Sequence, residues 1–510
     1  MVKFNPGAME DLNQLIGIVS PNKVKNIELV FSGRGEGSNL QRLYRAIAEA
    51  DGVSEEELIP KFFTGKNRKE YFNRLKRELK GRLVNTLFLI DANDSKYSEV
   101  ARAYYNCYKN SAAIKILLAR GARQVAVQLA EETMKAAERF EFTDILLSLA
   151  KDLRFHYGTI LGDSEMFRHY NKKAHHYSQL YLMELKAEEY YTALALTFSV
   201  SRASKVEFSQ DAARYAEEME QLLREHHSYR FNLYAFTVIA LRYEMANDHE
   251  LTIATCQRAL NYFENKEHLT SRQALFNFSF RMLSSYILLR RLDEGKKLAM
   301  RCLQWVDKGL FNWYRVMEFL FILYLHSEEY EEACEICREV VGHESFSKQY
   351  SAVQESWYIY EAYAYYFISM GIVEVENDDP LRKFRLSRFL NEVPTFSKDK
   401  KGKNISILIL QVLFLLQQQQ FGKIIDRMES LRTYTHRYLR RDETFRSNCF
   451  IKMLMQLPAS AFHKAAVVRK SKKYWEKLRT VGIINNQSAD LEAVPYETLW
   501  QFVLKSLDEK

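Results

Sequence analysis

One pattern, met three times between residues 242 and 340, constrains the fold of this chain more than any other feature. In "LYLHSEEYEEACEICREV" (residues 323 to 340) Tyr324 is followed by a short polar turn and a second aromatic, Tyr330. Ala333, Cys337 and Val340 then fall at i, i+4 and i+7. Such a spacing places the three residues on one helix face. The segment therefore predicts two helices joined by a tight turn, the second laying a small-residue face on the first. "SYILLRRLDEGKKLAMRCL" repeats the grammar with Tyr286 and Leu292 ahead of Gly295, Ala299 and Cys302. "RYEMANDHELTIATCQRAL" does so with Tyr243 and His249 ahead of Thr252, Cys256 and Ala259.

The first small residues of these segments, Thr252, Gly295 and Ala333, stand 43 and 38 residues apart. Upstream, Ala212, Ala216 and Met219 keep the register, as do Ala126, Ala130 and Thr133. The interval between these two sets leaves room for one more unit near "LGDSEMFRHYNKKAHHY". Small residues at these places let neighbouring helices approach closely, and a large one would push them apart. Only 18 glycines and 7 prolines punctuate 510 residues, and 47% of the chain is apolar, which favours long helices around a substantial core over strands. The expectation is an all-α chain of about ten to twelve helix hairpins wound as a right-handed superhelix.

On Tyr324, Tyr330, Ala333, Val340 and their upstream equivalents, the region of residues 100 to 345 resembles the tetratricopeptide-repeat (TPR) superfamily. The period is nearer 40 residues than the 34 usual there, as helices a turn or two longer would give. Asn247, Arg290 and Glu328 occupy the turn position where glycine is usual. The resemblance implies a right-handed α-solenoid of TPR-like helix hairpins whose curved face, built from the first helices of successive pairs, holds a protein segment.

The chain then divides into a helical N-terminal cap module (1–92), TPR-like repeats (93–345), and degenerate helical repeats with a basic C-terminal cap (346–510). In the first block, "NRKEYFNRLKRELKGRLVNTLFLI" reads as a basic amphipathic helix with Tyr71, Leu75, Leu79, Leu83 and Leu87 as its apolar set. In the last block, "ESWYIYEAYAYYFISMG" is an aromatic helix suited to packing between neighbours. "ISILILQVLFLL" is too short for a membrane-spanning helix, which needs about 20 apolar residues, and reads as a buried one.

Charge is unevenly placed. The net charge is +8, yet residues 61 to 82 hold nine basic against two acidic side chains and residues 427 to 479 hold fourteen against four, which leaves the middle acidic. Arg68, Lys69, Arg74 and Arg77 at one end, with Arg440, Arg441, Lys472 and Lys473 at the other, are the candidate partner-binding residues. Tyr434, Tyr438, Phe445, Tyr474 and Trp475 alternate with the second set, as a stacking surface for single strands would require. An amphipathic helix pair that buries those rings is the competing reading.

Signatures of chemistry are sparse. The glycines of "LVFSGRGEGSNLQRLYRAI" (residues 29 to 47) lack the Lys-Ser/Thr pair that a Walker-type phosphate cradle places after its last glycine. With Ser20 and Pro21 as a helix start, the stretch reads as a turn between two helices, the second capped by Ser38 or Asn39. Cys334 and Cys337 form a lone CxxC with no second ligand pair nearby, and adjacent His175/His176 and His226/His227 point to different helix faces. The sequence thus predicts no enzyme, no cofactor and no metal. Six cysteines form no disulfide framework, and "MVKFNPGAMEDLN" has no secretory pattern, so a cytoplasmic location is expected. The functional expectation is a protein-protein interaction adaptor or scaffold within a larger assembly, without membrane insertion. The alternative is a nucleic-acid-associated regulator with basic terminal regions and a partner-sensing repeat domain.

Overall fold

The computed structural model describes residues 10–19, 38–49, 55–63, 67–90, 97–200, 205–266, 268–269, 271–391, 403–438, 445–481 and 492–508. Among them every regular element is a helix and no strand occurs. The chain separates into two compact units, Met1–Lys186 and Ala187–Lys510. These units do not coincide with the blocks 1–92, 93–345 and 346–510 expected from the sequence.

In the first unit, α1 (Glu10–Val19), α2 (Asn39–Ala48), α3 (Glu55–Phe62) and α4 (Arg68–Leu87) enclose a core of Leu12, Ile16, Leu43, Ile47, Leu58, Phe72 and Leu79. Ser38 caps α2 by accepting from the Gln41 amide at 3.4 Å, as expected of it. Gly33, Gly35, Gly37, Ser20 and Pro21 lie outside the described residues. Next come α5 (Glu99–Ala119), α6 (Arg123–Arg139), α7 (Thr143–Phe155) and α8 (Ser164–Val200), whose residues from Ala187 on belong to the second unit. A single π turn, His156–Ile160, ends α7.

Between Ala126 and Ala212 the chain forms two helices, α7 and α8, which meet at residues 161–163, where the sequence leaves room for one more unit; α8 then runs unbroken for 37 residues. Its sequence holds neither glycine nor proline, and Ala, Leu, Glu and Lys supply 16 of its 37 residues, so nothing halts a helix once started.

The second unit shows the hairpin grammar clearly. α9 (Lys205–Leu222) is followed by three pairs: α10 (Tyr229–Met245) with α11 (His249–Glu264), α12 (Arg272–Leu288) with α13 (Leu292–Leu303), and α14 (Phe311–His326) with α15 (Tyr330–Val341). Each helix packs chiefly on the next in the chain. The turns within the three pairs are alike. Asn247, Arg290 and Glu328 take φ of 56°, 58° and 61°, the left-handed conformation normally left to glycine. The amide after each returns to the carbonyl five residues back: Asp248 to Tyr243 at 2.9 Å, Arg291 to Tyr286 at 2.9 Å and Glu329 to Tyr324 at 3.0 Å. These bonds satisfy carbonyls that a helix end leaves open.

Five residues beyond each left-handed position stands a small residue. Thr252, Gly295 and Ala333 are all buried, and so are Cys256, Ala299 and Cys337 one turn on. Ala126, Ala130, Thr133, Ala212, Ala216 and Met219 are buried too. At Gly295 the fit is close: a Cβ there would lie 2.7 Å from Leu323 Cδ2 of α14 and 3.3 Å from Tyr286 Cβ of α12. The absent side chain is what lets α14 close onto the preceding hairpin.

Polar contacts repeat with the same period. Arg258 bonds Glu220, Arg281 bonds Glu244 and Arg301 bonds Glu264, partners 38, 37 and 37 residues apart. In the first unit Lys115 reaches Asp152 across 37 residues and Tyr177 reaches Glu138 across 39. The exposed ones, such as Arg258–Glu220 and Arg301–Glu264, add about 0 to 1 kcal/mol each, and with the half-buried Arg281–Glu244 pair they set the register of neighbouring helices.

Beyond α15 the pattern loosens. α16 (Ser351–Ser369) buries Trp357, Tyr360, Tyr363, Tyr366 and Phe367, and α18 (Lys403–Gln417), after the short α17 (Leu386–Asn391), buries nearly all of "ISILILQVLFLL". α19 (Phe421–Tyr438), α20 (Phe445–Leu454), α21 (Gln456–Ala459), α22 (Lys464–Thr480) and α23 (Tyr496–Ser506) complete the unit. α23 packs on α18 and α20. Among the described residues no helix is long and apolar enough to cross a membrane.

Candidate partner-binding surfaces

The basic helix α4 sorts its charges by position. Its buried face is Phe72, Leu75, Leu79, Leu83 and Thr86. Tyr71, which the sequence reading placed on that face, is 55% exposed and rests against Phe63 at 5.9 Å. Residues spaced strictly by four drift about 40° per step on a helix that turns about 100° per residue. Phe72 is therefore the first residue to face the core.

Of the cations, Lys76 pairs with Glu55, Lys80 with Asp11 at 2.5 Å and Arg82 with Glu78 at 3.2 Å. A groove of about 420 Å³ between α1 and α4 has Asp11, Asn73, Lys76, Arg77 and Lys80 along its walls. Arg68, Lys69, Arg74 and Arg77 are exposed and have no ion pair among the described residues.

The second set of candidate residues is less open. Arg440 and Arg441 lie outside the described residues. Lys472 is exposed with Glu476 at 3.9 Å, and Lys473 stands over the Tyr474 ring at 4.7 Å. Tyr474, Trp475 and Phe445 pack against the core, so these rings serve an amphipathic helix and not an open stacking surface. The side chains of Tyr434 and Tyr438 lie outside the described residues.

Arg446, one of the fourteen basic residues between 427 and 479, lies in the interior. It is buried, and all five of its N–H groups donate: Nε to Glu492 Oε1 at 2.6 Å, Nη1 to the carbonyls of Leu478 and Val481 at 2.9 and 2.8 Å, and Nη2 to Glu492 Oε2 and Glu497 Oε2 at 3.0 and 2.7 Å. His326, at the end of α14, reaches the Glu492 carbonyl through Nε2 at 2.7 Å. Burial holds its pKa down at about 4, so near neutral pH the ring is uncharged and Nε2 donates. Burial likewise raises the pKa of the Glu492 carboxyl, against the opposing pull of Arg446. No local motif announces this cluster, because Glu492 and Glu497 stand 46 and 51 residues from Arg446.

The first helices of the three pairs, expected to form a binding face, are largely interior. α10, α12 and α14 bury nine, nine and eleven side chains respectively, which leaves each a narrow half-exposed polar strip. Along those strips Arg230 bonds Glu188 at 2.7 Å, Arg281 bonds Glu244 at 2.9 Å, and Arg315 pairs with Glu318, which also accepts from Tyr360 at 2.7 Å. A ligand held there meets paired charges and tyrosine hydroxyls.

Cys334 and Cys337 are free, buried thiols; burial pushes Cys334 up to about 12 and raises Cys337 well above the ordinary value. Both are neutral packing groups at physiological pH. Among the described residues no cluster of three His, Cys, Asp or Glu side chains is placed to hold a metal ion. No protein-family model matches this chain, and no curated protein is significantly similar to it. The fold defines the class of the protein as all-helical.

Proposed function

We propose that the chain is a non-enzymatic adaptor of the cytoplasm, whose block 93–345 stacks TPR-like hairpins into a right-handed solenoid and holds a protein partner within a larger assembly. One observation carries this reading. The same left-handed turn and the same small-residue face recur along α10 to α15, with Arg281–Glu244 and Arg301–Glu264 joining the first pair to the second and Lys296–Glu329 joining the second to the third. Stacked units of this kind present an extended surface whose contacts are diffuse, which suits a polypeptide ligand better than a small molecule. Six free, buried cysteines suit a reducing compartment.

The test is affinity capture of the tagged full chain from its native cells, with and without nuclease, across a salt series. A discrete protein recovered in comparable amount in both arms is the expected result. Recovery abolished by nuclease and falling steeply with salt supports the nucleic-acid regulator instead.

A further inference from the structure

α4 carries a second organised face, opposite the one it buries. Arg74, Arg77, Gly81, Val84 and Phe88 follow one another at steps of three and four residues, so they form a single line along the helix. The first two are exposed cations with no ion pair among the described residues, although neighbouring carboxylates have been taken by Lys76, Lys80 and Arg82. Val84 is 41% exposed, Phe88 48% and the adjoining Leu89 50%. Gly81 sits between the two halves in the helix interior, where glycine is the least favourable residue other than proline. Nothing lies within 4 Å of where its Cβ would be, so no contact inside the protein requires it.

We propose that this line is the docking site for an acidic amphipathic helix of a protein partner. Its carboxylates meet Arg74 and Arg77, its apolar residues cover Val84, Phe88 and Leu89, and its backbone passes close over Gly81. Charge complementarity selects an acidic ligand, the apolar half selects polypeptide over a phosphodiester backbone, and the missing side chain at Gly81 admits a crossing helix at short distance. The proposal rests on the adaptor reading and adds a site outside the repeats.

The experiment uses the full chain and fluorescence anisotropy with three labelled probes: a designed helical peptide with a leucine stripe flanked by glutamates, a scramble of the same composition without the stripe, and a single-stranded oligonucleotide. The designed peptide is expected to bind more tightly than either other probe. R74E/R77E and Gly81→Tyr, both at exposed positions and checked for unchanged helicity, are each expected to weaken it by about tenfold or more. Equal binding of the scramble, tighter binding of the oligonucleotide, no binding up to millimolar peptide, or indifference to both variants overturns the proposal. A native partner captured by the wild-type chain that does not bind the designed peptide would leave the adaptor reading standing and remove only this site.

Discussion

The contact between Gly295 and Leu323 gives the stacking of hairpins a quantitative test. A Cβ at Gly295 would come within 2.7 Å of Leu323 Cδ2, and Leu323 is fully buried, so its side chain has little room to retreat. Gly295→Val gains about 0.3 to 0.5 kcal/mol of helix propensity but overpacks the seam at about 1 to 3 kcal/mol. A net loss of about 1 to 2 kcal/mol is expected. Leu323→Ala alone opens a cavity and costs about 2 to 5 kcal/mol. In the double variant the valine methyl groups enter the space vacated by Leu323. The combined loss should then fall short of the sum by about 1 to 2 kcal/mol, well beyond the 0.3 to 0.5 kcal/mol scatter of independent sites. Urea titration followed by circular dichroism supplies the four stabilities. Hydrogen exchange of the α13 and α14 amides supplies local values, needed because cooperativity can break down along repeat arrays. Additive losses would show that the two residues do not meet and refute the stacking argument.

Four further outcomes follow from the same structure. Ala333→Phe, at a buried small-residue position, should cost about 1 to 3 kcal/mol in denaturant titrations, and wild-type stability would contradict the packed face. Glu328→Gly should raise stability by about 0.5 to 1 kcal/mol, because φ of 61° strains glutamate and suits glycine; a loss would argue against a strained turn. Arg446→Met should cost about 3 to 5 kcal/mol by leaving Glu492 buried without its partner, and a thermal scan checks this. His326 has a folded pKa of about 4 against 6.5 unfolded, so the unfolded state binds the proton first. Its contribution is complete above pH 6.5 and is lost as pH falls towards 4, in total about 3 kcal/mol. The stability gap between wild type and His326→Asn should therefore shrink across that window, and a constant gap would contradict the assigned pKa.

What could be read from the sequence was what repeats locally. The buried small residues of α11, α13 and α15 follow from helical spacing within a dozen positions. Asn247, Arg290 and Glu328 were located as turn residues because a polar residue interrupts two apolar periods there. The register of α4 was misplaced by one residue at its start, since a spacing of four imitates a helical stripe only over short spans; Phe72, not Tyr71, faces the core. The 37-residue length of α8 is set by a local sequence without glycine or proline, which the spacing of small residues does not reveal. At the candidate site, local charge identified Arg68, Lys69, Arg74 and Arg77, but pairing decides which cations remain available, and pairing is a matter of tertiary structure. Arg446 shows this most plainly: it is one of the fourteen cations of residues 427–479 in the sequence and a saturated interior group in the fold.

The central claim, that the hairpin block holds a polypeptide partner, is met most directly by cross-linking mass spectrometry on the complex captured from native cells. Cross-links from one protein partner should concentrate on residues 93–345, along the strips that carry Arg230, Arg281 and Arg315, with a further set on α4 if the basic line is occupied. A partner whose cross-links avoid residues 93–345 altogether would contradict the adaptor account.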